Sequence, residues 1–583
     1  MSNDRVVPNS QPTDRPTIKI FSEGNQVSGE FKLLSAVVSR AFNKVATAHL
    51  VFFDGDPATE DFKSSAADAF IPGKEIEVHA GYHSEEEIIF KGIVVKHQIK
   101  ARKNKSGLLR IVCKDKAAKL TIGRKSKYFY ELTDSEVIEE LINEAGLSPE
   151  VEATDISHKE LVQFRSNDWD FIVSRAEANG LLVLTQDGTL IVKKPELDQE
   201  PALELTYGGN LMDFEGELDA TYQFGEIQAF AWDTSNQEML ELAAESLSTS
   251  LGGNISSDDL ASILSPEILE LKHGGQLSDE ELQAWANAQI LKSRLAHTRG
   301  IARFQGFAGI QPGMLVNLNG LGDRFNGKAY VSAVRHEINS KNWETTVELG
   351  LSPNWFHQEH TDISDTPANG LLPAVNGLQI GLITQLEEDP EGEARILVRI
   401  PMIDAAEEGI WTRIARPDAG ENRGIFFLPE IGDEVVLGFL NDDPRNPIIL
   451  GVLNSSDKPA PVEPTDDNHE KGIYTRSEMK VVFDDDKKSI NIETPNGNII
   501  LISDDEGGIS LTDENGNTFT MNSDGIALES AKDIQIKASG DVNIEGTNVN
   551  ISAQASLTAE GSAGAEVSSS ATTVIKGSLV QIN

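Results

Sequence analysis

Enzyme and metal chemistry need nucleophiles, titratable pairs or ligands at short recurring spacings, and this chain is poor in them. Its 583 residues include 11 histidines and a single cysteine, Cys113. One cysteine excludes an internal disulfide framework and any thiolate zinc site. Within Ile111-Val112-Cys113 it reads as a small buried strand residue. His79, His83, His97 and His336 come nearest to a ligand set, but they lie in alternating strand sequence and read as amphipathic strand residues. No Gly-x-Ser-x-Gly elbow and no His-Glu-x-x-His pair occurs, which removes two common hydrolase signatures. Acidic runs such as Asp504-Asp505-Glu506 lack the ligand spacing of a calcium loop and read as solvated turns. No catalytic, cofactor-binding or metal residue is assigned, and no cofactor is expected.

Charge narrows the field further. Lysine and arginine number 50 against 93 acidic residues, a net charge of −43. Such a surface repels phosphate backbones, so nucleic acid is not expected as a partner. A hydrophobic content of 39% fits packed domains, and the length predicts roughly four of them. Met1 to Pro16 is polar and lacks the apolar core of a secretory signal. No window approaches the run of about 18 apolar residues that a membrane span requires.

The chemistry that remains is self-association. Toward the C-terminus, apolar residues recur in pairs two apart: Ile534/Ile536, Val542/Ile544, Val549/Ile551, Leu557/Ala559, Ala565/Val567 and Val580/Ile582. A spacing of two puts both members on one face of an extended strand. From Ile534 to Ala565 the pairs return every seven or eight residues, separated by Gly, Asn, Ser, Asp and Thr. So thin an apolar face cannot be buried by one strand. It must coil on itself or wind with other copies. Ile534, Ile536, Val542, Ile544, Val549, Ile551, Leu557, Val567, Val580 and Ile582 are the expected core of the rod. Leu579, Val580, Gln581, Ile582 and Asn583 end the chain in an extended run, a blunt tip expected to dock a separate protein.

The elements that position this rod are mainly β. Residues 1–370 read as a hub of two related β-barrels, one at about 17–120 and one at about 200–232 and 296–355. Ile71-Pro72-Gly73 and Gln311-Pro312-Gly313 mark the same turn in each. His97 and His336 follow these turns at nearly equal intervals and are taken as equivalent. Between the barrels lie helices capped by Asp134 and Asn167, and by Ser278 in a capping box with Glu281. Residues 234–275 read as a surface excursion rich in Ser, Gly and Asn. Five short strands in 371–457 predict a Greek-key barrel of the oligonucleotide/oligosaccharide-binding (OB) type, residues 458–470 a linker, and 471–583 a β-helical spike.

Specific motifs accompany these elements. Gln163-Phe164-Arg165-Ser166-Asn167-Asp168-Trp169-Asp170-Phe171 precedes Trp411-Thr412-Arg413, Phe427-Leu428-Pro429-Glu430-Ile431-Gly432-Asp433-Glu434-Val435 and Gly472-Ile473-Tyr474-Thr475-Arg476. In this order they resemble the VgrG family, the fused hub-and-spike proteins of contractile injection systems, similar to the central hub and puncturing spike of contractile phage tails. The resemblance implies a homotrimer with six barrels that adapt a six-fold tube to a three-fold spike. It also implies a triangular β-prism of intertwined C-terminal strands, and partners among inner-tube, baseplate and PAAR-like tip proteins. No lysozyme-like domain fits between barrel and rod, and none is expected after Asn583, so effectors are expected as separate proteins. Assembly would occur in the cytoplasmic baseplate, with delivery or release outside on contraction. A phage baseplate spike, or a secreted β-solenoid adhesin or carbohydrate-binding protein, is the alternative.

Overall fold

The computed structural model describes residues 15–582 except 104, 248–250, 265 and 267. The chain divides into two units, Met1–Gly377 with Gly438–Pro447, and Leu378–Leu437 with Ile448–Asn583.

The first unit is built on one 13-stranded sheet. Its first half contains β1 (Thr17–Ser22), β2 (Leu33–Ala41), β3 (Lys44–Phe53), β4 (Glu75–Tyr82), β5 (Glu85–Lys100) and β6 (Leu108–Lys114). Its second half contains β7 (Leu203–Thr206), β8 (Leu211–Leu218), β9 (Thr298–Gln305), β10 (Leu315–Asn319), β11 (Gly327–Asn339) and β12 (Trp343–Leu349). Strict alternation builds the core face. In β3, for example, Ala46, Ala48, Leu50 and Phe52 point inward and are buried. They pack with Ile76, Phe90 and Ile111, and the second half assembles Phe304, Val316, Val331 and Val347 in the same manner.

Both halves run in the same spatial order, β2-β3-β6-β5-β4-β1 and β8-β9-β12-β11-β10-β7. They differ at the last pairing, antiparallel between β1 and β4 but parallel between β7 and β10. Gly73 (φ +98°) and Gly313 (φ +95°) make the same turn, in a left-handed region open to glycine. Each amide donates at 2.8 Å, to the Val94 and Val331 carbonyls respectively. Bulges also coincide, after Val94 and Val331 on the long strands and after Leu33 and Leu211 on the outer ones. These features align His97 with Val334, so the expected equivalence of His97 and His336 is two residues out. The stretch from Gly313 to Val331 is shorter than that from Gly73 to Val94, which defeats a match made on intervals. The halves join where β11 pairs antiparallel with β2, Ala333 opposite Ala41 through Asn339 opposite Ser35.

Helices α1 (Asp134–Glu144) and α2 (Asp168–Ala178) share a core that includes Val137, Leu141, Trp169 and Val173. Thr133, not Asp134, caps α1, in a capping box with Glu136. Asn167 caps α2 by accepting from the Asp170 amide at 2.7 Å. Ser278 and Glu281 cap α3 (Asp279–Leu295) as expected. The described residues within 234–275 are more ordered than their composition implied. Strands Glu226–Asp233, Glu238–Ala243 and Ile268–His273 form a sheet whose Ala229 and Ala231 pack on Leu282 and Ala286 of α3.

In the second unit β13 (Gln379–Gln385), β14 (Ile396–Arg399), β15 (Ile410–Ile414), β16 (Glu434–Phe439) and β17 (Pro447–Leu453) close a barrel in the order β13-β14-β15-β17-β16. Ile383, Val398, Val435, Leu437 and Ile449 are buried in it. A seven-stranded meander follows, β18 (Glu470–Tyr474), β19 (Lys480–Asp484), β20 (Ser489–Glu493), β21 (Ile499–Ser503), β22 (Gly508–Thr512), β23 (Thr518–Asn522) and β24 (Gly525–Glu529). Among the described residues no helix is long and apolar enough to cross a membrane.

Candidate functional site

The meander places two apolar rows side by side on one face. Ile473, Val481, Ile492, Ile500, Leu511, Phe519 and Leu528 stand opposite one another in register. Phe483, Ile490, Ile502, Ile509, Met521 and Ile526 form the second row. Among the described residues these rows are only partly covered, and most of their members are exposed. Ile526 is 71% exposed, and a cavity of about 400 Å³ opens over Ile492, Ile500, Leu511, Phe519 and Leu528.

Past Glu529 the same apolar pairs continue but intrachain pairing stops. Among the described residues no strand is formed from Ser530 to Ile582. Ile534, Ile536, Val542, Ile544, Val549, Ile551, Leu557, Val567, Val580 and Ile582 are all exposed, Ile582 to 86%. Leu579 is exposed as well, and Asn583 lies outside the described residues. Val574 and Ile575, also exposed, escaped the sequence pattern because they are adjacent and break its period of two.

Side chains with chemical potential elsewhere serve structure. Cys113 is buried and burial pushes its thiol up to about 12. His336 is buried, shares a 3.0 Å hydrogen bond with Thr345, and burial holds its imidazole down at about 3. His97 lies 2.9 Å from the Phe70 carbonyl and 2.8 Å from Ser65, and His79 lies 3.2 Å from Glu77. No group of three potential metal ligands occurs among the described residues. The motif beginning at Gln163 is internal at Gln163, Ser166, Asp168 and Trp169, whereas Phe164 is exposed. Gln163 is fully buried and donates to Asp168 at 3.0 Å, while Glu177 meets Lys292 at 2.5 Å and accepts from the Phe356 amide at 2.7 Å.

One dense ionic cluster was invisible in the sequence. Asp134 accepts from Arg175 at 2.6 and 2.8 Å and from Asn179 at 2.8 Å, and lies 3.0 Å from the His158 Nε2. The His158 Nδ1 lies 3.3 Å from Glu281. The cluster ties α1, α2, α3 and the strand Ser157–Ser166 together. Burial alone would raise the Asp134 carboxyl, but His158 and Arg175 outweigh it and hold it well below the usual range. Hydrogen bonds to Asp134 and Glu281 lift His158 to about 9.

Three family models match this chain. The Alg8 N-terminal domain matches residues 12–340, the type VI secretion system/phage-baseplate injector OB domain residues 379–453, and the phage baseplate V C-terminal trimerisation domain residues 489–558. The chain is 27% identical over 224 residues to the type VI secretion system spike protein VgrG1a of Pseudomonas aeruginosa, covering 36% of this chain and 33% of that protein. It is 25% identical over 217 residues to VgrG1b of the same organism, covering 35% of this chain and 28% of that protein. The matched stretch thus spans about a third or less of these relatives. Among solved structures, the 43 kDa tail protein of prophage MuSo2 from Shewanella oneidensis is similar at 12% identity and a TM-score of 0.45, covering 58% of this chain and 98% of that one. With one family model spanning more than half its length, the chain belongs to the Alg8 N-terminal domain family, and two baseplate modules follow in order.

Proposed function

We propose that this protein is the fused hub and spike of a contractile injection system, type VI secretion-like or an extracellular tail-like particle. Three copies wind their C-terminal strands into a triangular β-prism with Ile534, Ile536, Val542, Ile544, Val549, Ile551, Leu557, Val567, Val580 and Ile582 on the axis. The duplicated hub supplies two barrels per chain, six per trimer, and so matches a six-fold inner tube to a three-fold spike. Its role is mechanical, puncturing a target membrane and carrying separate effectors. It assembles in the cytoplasmic baseplate and leaves the cell on contraction. The observation that carries this reading is the exposed apolar series beyond Glu529, which has no strand partner among the described residues. Backbone pairing and apolar burial between copies would satisfy both needs.

Light scattering on the purified protein should give three times the 63.4 kDa chain mass. A folded, monodisperse monomer refutes the proposal. The exposed apolar side chains Leu579, Val580 and Ile582, with Gln581, are assigned to docking a PAAR-like tip protein. Deleting 579–583 should leave the trimer intact and abolish co-purification of the tip protein. Undiminished retention of that protein removes the docking assignment.

A further inference from the structure

We propose that residues 351–371, which follow the last strand of the large sheet, form a strap with two anchors of different kinds. An apolar anchor at Trp355 and Phe356 stays seated, and a strained ionic anchor over 362–369 lets go. The use of the strap as a tether under load rests on the hub-and-spike reading above, whereas the latch is a property of the single chain.

The chain leaves β12 at Leu349, and the Leu351 amide donates at 2.9 Å to the Leu295 carbonyl at the end of α3. The first anchor follows at once. The Trp355 indole Nε1 donates to Gln289 at 2.6 Å, and the Lys292 ammonium sits 5.3 Å from the centre of its ring. Phe356 is buried in the core that α1 and α2 share, and its amide donates to Glu177 at 2.7 Å. Apolar burial is not an interaction between charges, so added salt does not screen it.

The second anchor is made by two arginines that the paired strands Lys125–Thr133 and Ser157–Ser166 bring together. Arg124 donates to the Ile363 carbonyl at 2.6 Å, to the Asp362 carbonyl, and to the Arg165 carbonyl at 3.0 Å. Arg165 pairs with Asp365 at 2.5 Å and donates to the Asn369 side chain at 2.5 Å. The Arg124, Arg165 and Asp365 side chains are 32%, 38% and 22% exposed, so dissolved ions weaken these contacts. The backbone works against them too. Arg165, Ala368 and Asn369 hold φ values of +44°, +53° and +51°. Outside glycine that region is costly and persists only where the surroundings impose it. Ala368, almost fully buried, has no polar side chain to offset the cost. The bond from Arg165 to Asn369 thus joins two residues that are each held in a strained conformation. A strap held by charge and opposed by its own backbone is poised to open. Once open, 361–371 is a run of about ten residues that spans up to about 33–36 Å when extended, still tied at Trp355 and Phe356. Such a tether lengthens under load before the pull reaches β12 and the sheet behind it.

Amide hydrogen exchange on the full chain reads the two anchors separately. In the closed strap the Asn369 and Leu371 amides donate to the Thr366 and Ala368 carbonyls at 2.9 and 3.0 Å, and the His360 amide donates to the Phe356 carbonyl at 2.9 Å. Salt at about 1 M, where the screening length is about 3 Å, should speed exchange across 361–371 by about five-fold or more. Exchange across 355–360 should change by less than about two-fold under the same salt. Arg165→Ala should give the same pattern at low salt and weaken the response to added salt. Ala368→Gly removes a backbone cost and should slow exchange across 361–371 by about two- to five-fold. Faster exchange in that variant refutes the strain. Exchange across 361–371 that answers neither to salt nor to Arg165→Ala overturns the ionic anchor. If 355–360 opens in step with 361–371, the division into two anchors is wrong. Light scattering that finds a monomer removes the spike and the tether's use, and leaves the latch to be decided by exchange alone.

Discussion

Asp134 shows how much one side chain can hold when its charge is buried and fully matched. Its carboxylate takes hydrogen bonds from Arg175 on α2, Asn179 at the C-terminal cap of α2 and His158 on a strand. Removing one partner leaves the rest of the cluster uncompensated in a dry site. Arg175→Met should therefore lower hub stability by about 3–5 kcal/mol, measured by denaturant unfolding, and Asp134→Asn should do so by less. The same cluster sets a pH dependence. His158 sits at about 9 when folded against an ordinary 6.5. Its contribution is thus fully present below about pH 6.5 and is lost as pH rises through about 9. The thermal midpoint of the hub should fall over that range, by about 2–4 °C for each kcal/mol lost, and His158→Gln should flatten the fall. Asp134 is displaced the opposite way, so its contribution is present at neutral pH and is lost only on strong acidification. Cys113, raised to about 12 and buried, should resist alkylation in the native protein at pH 8 and react on unfolding.

At the scale of the element, the rod depends on which face of a strand each residue occupies. In an extended strand Ile544 and Glu545, adjacent in sequence, would occupy opposite faces. Ile544→Asp places three carboxylates at one level of the proposed axis, each costing several kcal/mol if unpaired. The trimer fraction by size-exclusion light scattering should collapse. Glu545→Gln points outward and should leave it unchanged. Period-two spacing is a local signal that needs no knowledge of the partner. The barrel strands from Gln379 to Leu453 and the Ser278–Glu281 cap were legible for the same reason. What escaped depended on distance. The helix start at Thr133 was misread by one residue, because Asp134 is an equally good cap in isolation and is claimed instead by Arg175, far along the chain. The ordered sheet within 226–273 was missed because Ser- and Gly-rich links mask strands whose inward residues are alanines, Ala229 and Ala231. His97 was matched to the wrong partner because the two halves differ in length between turn and bulge.

For the whole molecule, the hub carries its own cores and caps and should not need the rod to fold. A fragment ending at Gly377 should melt in one cooperative transition by calorimetry and retain a tendency to trimerise. Aggregation or a featureless thermogram would mean that the rod drives all assembly. The rod is the reverse case. Beyond Glu529 every strand partner proposed for it comes from another chain, and each strand would be wrapped by two others. A protomer could then leave only by breaking all of its pairings at once, with no intermediate in which a shorter stretch lets go. Subunit exchange should accordingly be negligible on the timescale of days. Two differently tagged preparations mixed after purification should yield no hybrid particles, whereas co-expression should yield them in binomial proportions, so that composition is settled at synthesis and not by later equilibrium.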